Sequence, residues 1–262
     1  MSLISWIILF CLLGGLLSAL AAALFLVLSE SLRNHALPHL VSFATGTLLG
    51  AAFLGLLPHA LASLDSSDTH VIPLAVLLGL LVFFLLEKLV LWRHCHTDPC
   101  EVHAPEAPDG HGHKRSTGTM VLIGDGLHNF LDGILIAGAF LTDIHLGVVT
   151  SLAVAAHEIP QEVGDFAVLL HSGFSRSSAF FFNILASLTT VVGGVLAYVA
   201  LQQVEALLPY VLAVAASSFI YIAVADLIPT LHQRAEGRAT IQQMLLIAAG
   251  ILIIYAMHST LH

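Results

Sequence analysis

The stretches 120–141, MVLIGDGLHNFLDGILIAGAFL, and 146–170, LGVVTSLAVAAHEIPQEVGDFAVLL, decide the fold. Each has about the 20 residues that an α-helix needs to cross the hydrocarbon of a bilayer. Each also carries metal-binding side chains near its centre: His128, Asn129 and Asp132 in the first, His157, Glu158, Gln161, Glu162 and Asp165 in the second. An Asp at mid-bilayer costs about 2.5–3.5 kcal/mol on insertion scales. So many at one depth need a cation, protons or a polar pathway to account for them.

The rest of the chain has the same character. Its 262 residues are 58% hydrophobic and 10% charged, with a mean hydropathy of +0.95. Eight apolar segments reach spanning length: Leu3–Leu28, Leu37–Ala62, Ile72–Trp92, Met120–Leu141, Leu146–Leu170, Ala179–Leu201, Leu208–Leu231 and Ile241–Leu261. The first is too long for a signal-peptide core and has no basic stretch before it, so it is read as a membrane helix. The expectation is an all-α polytopic membrane protein, a single domain over residues 1–262.

All eight Lys and Arg residues fall on alternate connections: Arg33, then Lys88, Arg93, Lys114 and Arg115, then Arg176, then Arg234 and Arg238. The positive-inside rule puts those connections in the cytoplasm and both termini outside. The net charge of −9 says little about soluble partners. The expected partners are divalent ions and the bilayer, with no nucleic acid. Three cysteines are too few for a disulfide framework; Cys11 reads as a small apolar packing residue.

The long connection lies between segments 3 and 4, at about 94–119, and holds His94, Cys95, His96, Cys100, His103, His111 and His113. Flexible His-rich tracts of this kind bind metal weakly. A solvated linker and a metal-sensing or metal-receiving loop both fit it. No fixed Cys/His spacing marks a closed zinc site.

An internal echo relates Gly55-Leu56-Leu57-Pro58-His59-Ala60-Leu61 in segment 2 to Asp226-Leu227-Ile228-Pro229-Thr230-Leu231-His232 in segment 7. The expected topology runs these two in opposite directions. That is the pattern of an inverted repeat, segments 1–3 mirroring 6–8 around 4 and 5.

On segment 4, His128 and Asp132 share a helix face, with Asp125 a turn before and Asn129 beside them; on segment 5, His157 stacks with Gln161, and Glu158 with Glu162. Asp125, Asp132, Glu158, Glu162, Asp165 and Asp226 have no Lys or Arg at their depth. Buried unpaired carboxylates take up protons or bind cations. Imidazole with carboxylate suits zinc and neighbouring divalent ions, and the lack of thiolate argues against copper(I). A proton-bearing network that glues helices together is the bland alternative. Pro160 must distort segment 5, and Gly133 and Gly164 are expected to admit close backbone approach. His59, Asp125, Asp165, Asp226 and His232 are candidates for a pathway beyond the centre, or in part simple capping groups.

The HNFLDG and HEIPQEVGDF runs resemble the motifs of the ZIP family of divalent-metal transporters, closest to the branch with a histidine-rich cytoplasmic loop. The similarity extends to eight helices, outside termini, the 3–4 loop and the Glu87-Lys88 pair ending segment 3. It implies metal uptake into the cytoplasm, zinc first and Fe2+, Mn2+ or Cd2+ as further substrates, through a binuclear centre between helices 4 and 5. His128, Asp132 and His157 would hold the primary ion, and Asn129 and Glu158 a second, with Asp132 as a possible bridge. The resemblance also implies a helix bundle sliding against a dimerising scaffold, and so a homodimer. Two departures stand out. Gln161 occupies a position that is commonly His in that branch and Glu in others, and Leu188-Thr189-Thr190-Val191 in segment 6 offers no acid to a second ion.

Two rival readings belong to other classes. His157-Glu158-x-x-Gln161 nearly spells the HExxH motif of zinc metalloproteases, although Gln161 replaces the second His and Pro160 disturbs the helix. A membrane metal sensor that never releases its ion is the other. Without an extracellular domain or targeting signal, the expected location is a bacterial inner membrane.

Overall fold

The computed structural model describes residues 1–63, 70–95, 111–232 and 237–261. Among them the protein is all-helical. Eight helical spans follow in order: α1 (Leu3–Val27), α2 (Glu30–Ala62), α3 (Val71–Cys95), α4 (His111–Thr142), α5 (Ile144–His171), α6 (Arg176–Leu201), α7 (Glu205–His232) and α8 (Gly237–Leu261). Seven have stretches apolar and long enough to cross a membrane. The remaining one, α5, has 28 residues but carries Glu158, Glu162 and Asp165 within it. The polar groups that give α5 its interest also depress its hydropathy.

The connections are set by local chemistry. A single residue, Asp143, separates α4 from α5; its extended backbone turns the chain and its carboxylate accepts the Leu146 N–H at 2.9 Å. Such a cap satisfies one of the open donors at a helix start. Ser175 caps α6 in the same way, through Ser178 N–H at 3.2 Å. Both flanks of the His-rich tract are helical: His94 lies in the last turn of α3, and His111 and His113 in the first turn of α4. The connection expected over 94–119 is therefore shorter, and His96, Cys100 and His103 lie outside the described residues.

Two π-helical stretches interrupt α2 and α7, at Ala51–Leu56 and Ile222–Leu227. Each ends two residues before a proline, Pro58 and Pro229, and the two stand in the same register as the sequence echo. A π turn redirects carbonyls ahead of a residue that has no N–H to give. The repeat is therefore written in backbone as well as in side chains.

The packing has the matching symmetry. Helices α1, α4, α5 and α6 form one bundle; α2 packs on α8, α3 on α7, and α2 on α7. Exchanging α1 with α6, α2 with α7, α3 with α8 and α4 with α5 preserves the main pairings. Small residues allow the closest crossings, as is usual between membrane helices. A Cβ on Gly133 would strike the Thr190 carbonyl of α6, and one on Gly193 the Phe130 carbonyl of α4. Gly164 behaves otherwise than expected, since a Cβ there would meet nothing within 4 Å. α5 remains α-helical through Pro160, whose ring leaves the Ala156 carbonyl without its usual partner. On the periphery, α3 and α8 expose Leu77, Leu81, Phe84, Leu245, Leu252 and Tyr255, as lipid-facing helices do.

Candidate metal centre

At the crossing of α4 and α5, His128, Asp132, His157 and Glu158 converge. His128 Nε2 lies 3.3 Å from His157 Nε2, 3.8 Å from Asp132 Oδ2 and 3.4 Å from Glu158 Oε1. His157 Nε2 lies 3.5 Å from Asp132 Oδ2 and 3.6 Å from Glu158 Oε1. These are five of the six edges of a four-atom polyhedron. Ligands about 2.0–2.1 Å from a tetrahedral zinc stand roughly 3.4 Å apart. The edges are long for hydrogen bonds and close to that tetrahedral length.

The hydrogen-bond pattern suits an ion as well. His157 Nδ1–H donates to the Ala153 carbonyl at 3.1 Å, because that oxygen can only accept. That hydrogen bond turns Nε2 towards the centre, the second-shell device that orients metal-binding imidazoles. Both oxygens of Asp132 and both of Glu158 are buried without a hydrogen-bond partner. Orphaned buried carboxylates are costly unless something cationic compensates them.

The centre is closed on three sides. Asp132, His157 and Glu158 have side chains only 1% exposed, whereas His128 is 21% exposed. His128 and His157 form the inner end of a cavity of about 560 Å³. Asp125, Gln161, Asp165, Asp226 and Glu87 also line it, with Tyr221 donating across it to the Glu87 carboxylate. All lining residues of α4 precede Asp132 and those of α5 run from His157 onward, so the cavity leads to the end where α4 begins and α5 finishes. Towards the opposite end, Ile136, Phe140, Leu146, Val149 and Phe219 are at most 2% exposed and fill the space.

The other expected residues separate into groups. Glu162 joins Asp125 and Glu158 in a second buried cluster. Asn129 is committed elsewhere: its amide N–H donates to Asp125 Oδ1 at 2.8 Å, and its oxygen accepts from Thr190 Oγ1 at 2.8 Å. Gln161, Asp165 and Asp226 line the cavity. His59 and His232 do not line it. The Nδ1–H of His59 donates to the Gly55 carbonyl at 2.9 Å, and its ring packs edge-on to His258 with centroids 5.4 Å apart; His232 is exposed at the end of α7.

Three buried residues of α6 were not anticipated as partners of the centre. Asn183 Nδ2 and Ser187 Oγ both donate to the Glu162 carboxylate, the latter at 2.7 Å, and Thr190 holds Asn129. The absence of an acid at Leu188–Val191 drew attention to charge. The available signal was the polar stripe Asn183, Ser187, Thr190 on one face of an otherwise apolar helix.

The family model described as ZIP Zinc transporter matches residues 2–258. Zinc transporter ZIP13 of Pongo abelii is 33% identical over 267 residues, covering 92% of this chain and 76% of the relative. Its counterpart from Homo sapiens is 31% identical over 295 residues, covering 92% and 78%. The Zinc transporter foi of Drosophila melanogaster is 39% identical over 142 residues, covering 53% of this chain and 20% of the relative. Members of this family are transporters, so the metalloprotease reading of His157-Glu158 falls, in keeping with Gln161 where that motif needs a second imidazole. Matched from end to end by the family model, this multi-pass membrane protein belongs to the ZIP zinc transporter family of metal-ion transporters.

Proposed function

We propose that the chain carries zinc into the cytoplasm, holding it in transit between His128, Asp132, His157 and Glu158. The observation that carries this reading is the near-tetrahedral spacing of two Nε2 atoms and two orphaned carboxylate oxygens. A four-coordinate site of imidazole and carboxylate without thiolate favours zinc, with Fe2+, Mn2+ and Cd2+ as competitors. Relatives named as zinc transporters in Homo sapiens and Pongo abelii support the same ion.

The direction follows from charge and cavity together. Arg33, Lys88, Arg176 and Arg238 sit at or beside the helix ends where the cavity leads. The positive-inside rule makes that end cytoplasmic and both termini external. The arrangement is thus open inward and closed outward. Asp125, Asp165 and Asp226 then form the release path, and the uncharged amide of Gln161 eases departure. The animal relatives lend no support to a bacterial inner membrane in particular.

The test is uptake of radiolabelled zinc by liposomes containing the purified protein, with iron, manganese and cadmium as competitors. Zinc accumulating down its gradient into protein-containing vesicles alone is the expected outcome. Tight zinc binding without flux would establish a sensor instead, and sink the transport reading.

A further inference from the structure

We infer that the cleft where α1 and α5 end and α2 begins binds one phospholipid with an ethanolamine headgroup. Its phosphate sits on Arg33, its ammonium on Glu30 and an acyl chain over Phe25, Leu37 and Val163. The cleft has a volume of about 500 Å³, within the range of small-molecule sites. α1 finishes at Val27, α2 begins at Glu30 and α5 finishes at His171; the first two are long and apolar enough to span a bilayer. Ends of spanning helices lie where hydrocarbon gives way to headgroups.

The lining divides as a phospholipid does. Phe25 and Val163 are buried and pack with Leu37 in one apolar cluster, and Ala167 and Leu170 extend that surface along α5. The polar part holds two opposite charges that do not meet. Glu30 and Arg33 both line the cleft from α2, three residues apart, a spacing at which such side chains pair on a helix. Among the described residues neither forms an ion pair. One guanidinium N–H of Arg33 donates to the Leu26 carbonyl in the last turn of α1, at 3.2 Å. The rest of that planar fork matches the oxygens of a phosphate.

Separated charges of both signs beside apolar surface fit a zwitterion that carries chains. A purely anionic headgroup would meet Glu30 as a like charge, and a choline headgroup has no N–H to donate to it. Ethanolamine answers both groups. The cleft also lies at a boundary: α1 and α5 belong to the bundle that carries the quartet, and α2 packs with α7 and α8. A lipid seated here touches both groups of helices, whichever ion the quartet takes.

The experiment uses the purified full chain in detergent, with phosphatidylethanolamine, phosphatidylcholine and phosphatidylglycerol of the same chains added in turn and retention read by native mass spectrometry. Wild type should keep one ethanolamine lipid per chain, bound about two- to fivefold more tightly than the other two. Glu30→Gln should erase that preference without weakening the glycerol lipid. Arg33→Gln should weaken the ethanolamine lipid about tenfold or more, and Arg33→Lys, which keeps the charge, by less. Ala167→Phe fills the apolar part and should exclude all three. The unfolding temperature in lipid-free detergent, and the visible absorption band of Co2+ bound at the quartet, should stay close to wild type in each variant, which separates lost lipid from a lost fold. Equal retention of the three lipids by wild type, or unchanged ethanolamine-lipid binding in Arg33→Gln, would overturn the site. Tighter binding of the glycerol lipid would overturn it too, in favour of a purely anionic headgroup.

Discussion

Asp132→Asn changes one atom of the quartet and separates folding from ion binding. Both Asp132 oxygens are buried and unpartnered, and Oδ2 stands 3.5 Å from His157 Nε2 and 3.8 Å from His128 Nε2. The amide keeps the volume and removes the charge. A charge-assisted contact contributes about 1.5–3 kcal/mol, so zinc should bind about 10- to 150-fold more weakly. The empty protein should move the other way, because an ionised Asp at mid-bilayer costs about 2.5–3.5 kcal/mol. At a zinc concentration one hundred times the wild-type Kd, wild type gains about 2.7 kcal/mol of stability; a variant bound one hundredfold more weakly gains about 0.4 kcal/mol. Thermal unfolding with and without zinc reads both terms, and liposome uptake reads the consequence for flux. A variant that zinc stabilises as much as wild type, with uptake within about twofold, would remove Asp132 from the site and the tetrahedral reading with it.

Two further outcomes follow from neighbouring positions. Gln161→His places a third imidazole one helical turn from His157 on the cavity wall; zinc affinity should rise about tenfold or more and turnover should fall, as measured by equilibrium binding against initial uptake rate. Thr190→Val leaves the Asn129 amide oxygen without its donor. Hydrogen bonds between membrane helices average about 0.6 kcal/mol and reach about 1.7 kcal/mol, so unfolding should shift by that order while the Co2+ band at the quartet stays unchanged.

Which parts of this were legible in the sequence follows from what generates them. Spans depend on local hydropathy, so eight helices could be placed to within a few residues, except where helix runs past the apolar region, as at Glu30 and His111. His128 with Asp132 and His157 with Glu158 could be paired because the one-residue turn at Asp143 brings two motifs to equal depth. Asn129 could not be placed from its position beside them, since its orientation depends on Thr190 of α6, which is 61 residues away. The close backbone approach expected at Gly133 is present, but its partner, the Thr190 carbonyl of α6, leaves no trace in side-chain pattern and could not be named from the sequence. The Pro58 and Pro229 echo was visible in letters, but the π turns ahead of each are a property of hydrogen-bond register.

The one-sided cavity has a mechanical consequence that can be tested by locking it. On the side of the quartet away from the cavity, Phe140, Leu146, Val149 and Phe219 are packed and buried. These residues come from α4, α5 and α7, so on the proposed transport reading that side opens when the bundle holding α4 and α5 shifts against the group holding α2 and α7. Gly55 of α2 faces Leu146 of α5 across that boundary; a Cβ on Gly55 would lie 3.3 Å from the Leu146 side chain. In a chain with Cys95 and Cys100 replaced by Ser, Gly55→Cys with Leu146→Cys, joined by a short reducible crosslinker, should stop zinc uptake, and reduction should restore it. The quartet's Co2+ band should persist throughout, since neither substituted residue belongs to it. Uptake at an undiminished rate in the crosslinked protein would show that α5 need not move past α2, and the packed side would have to open by side-chain rearrangement alone.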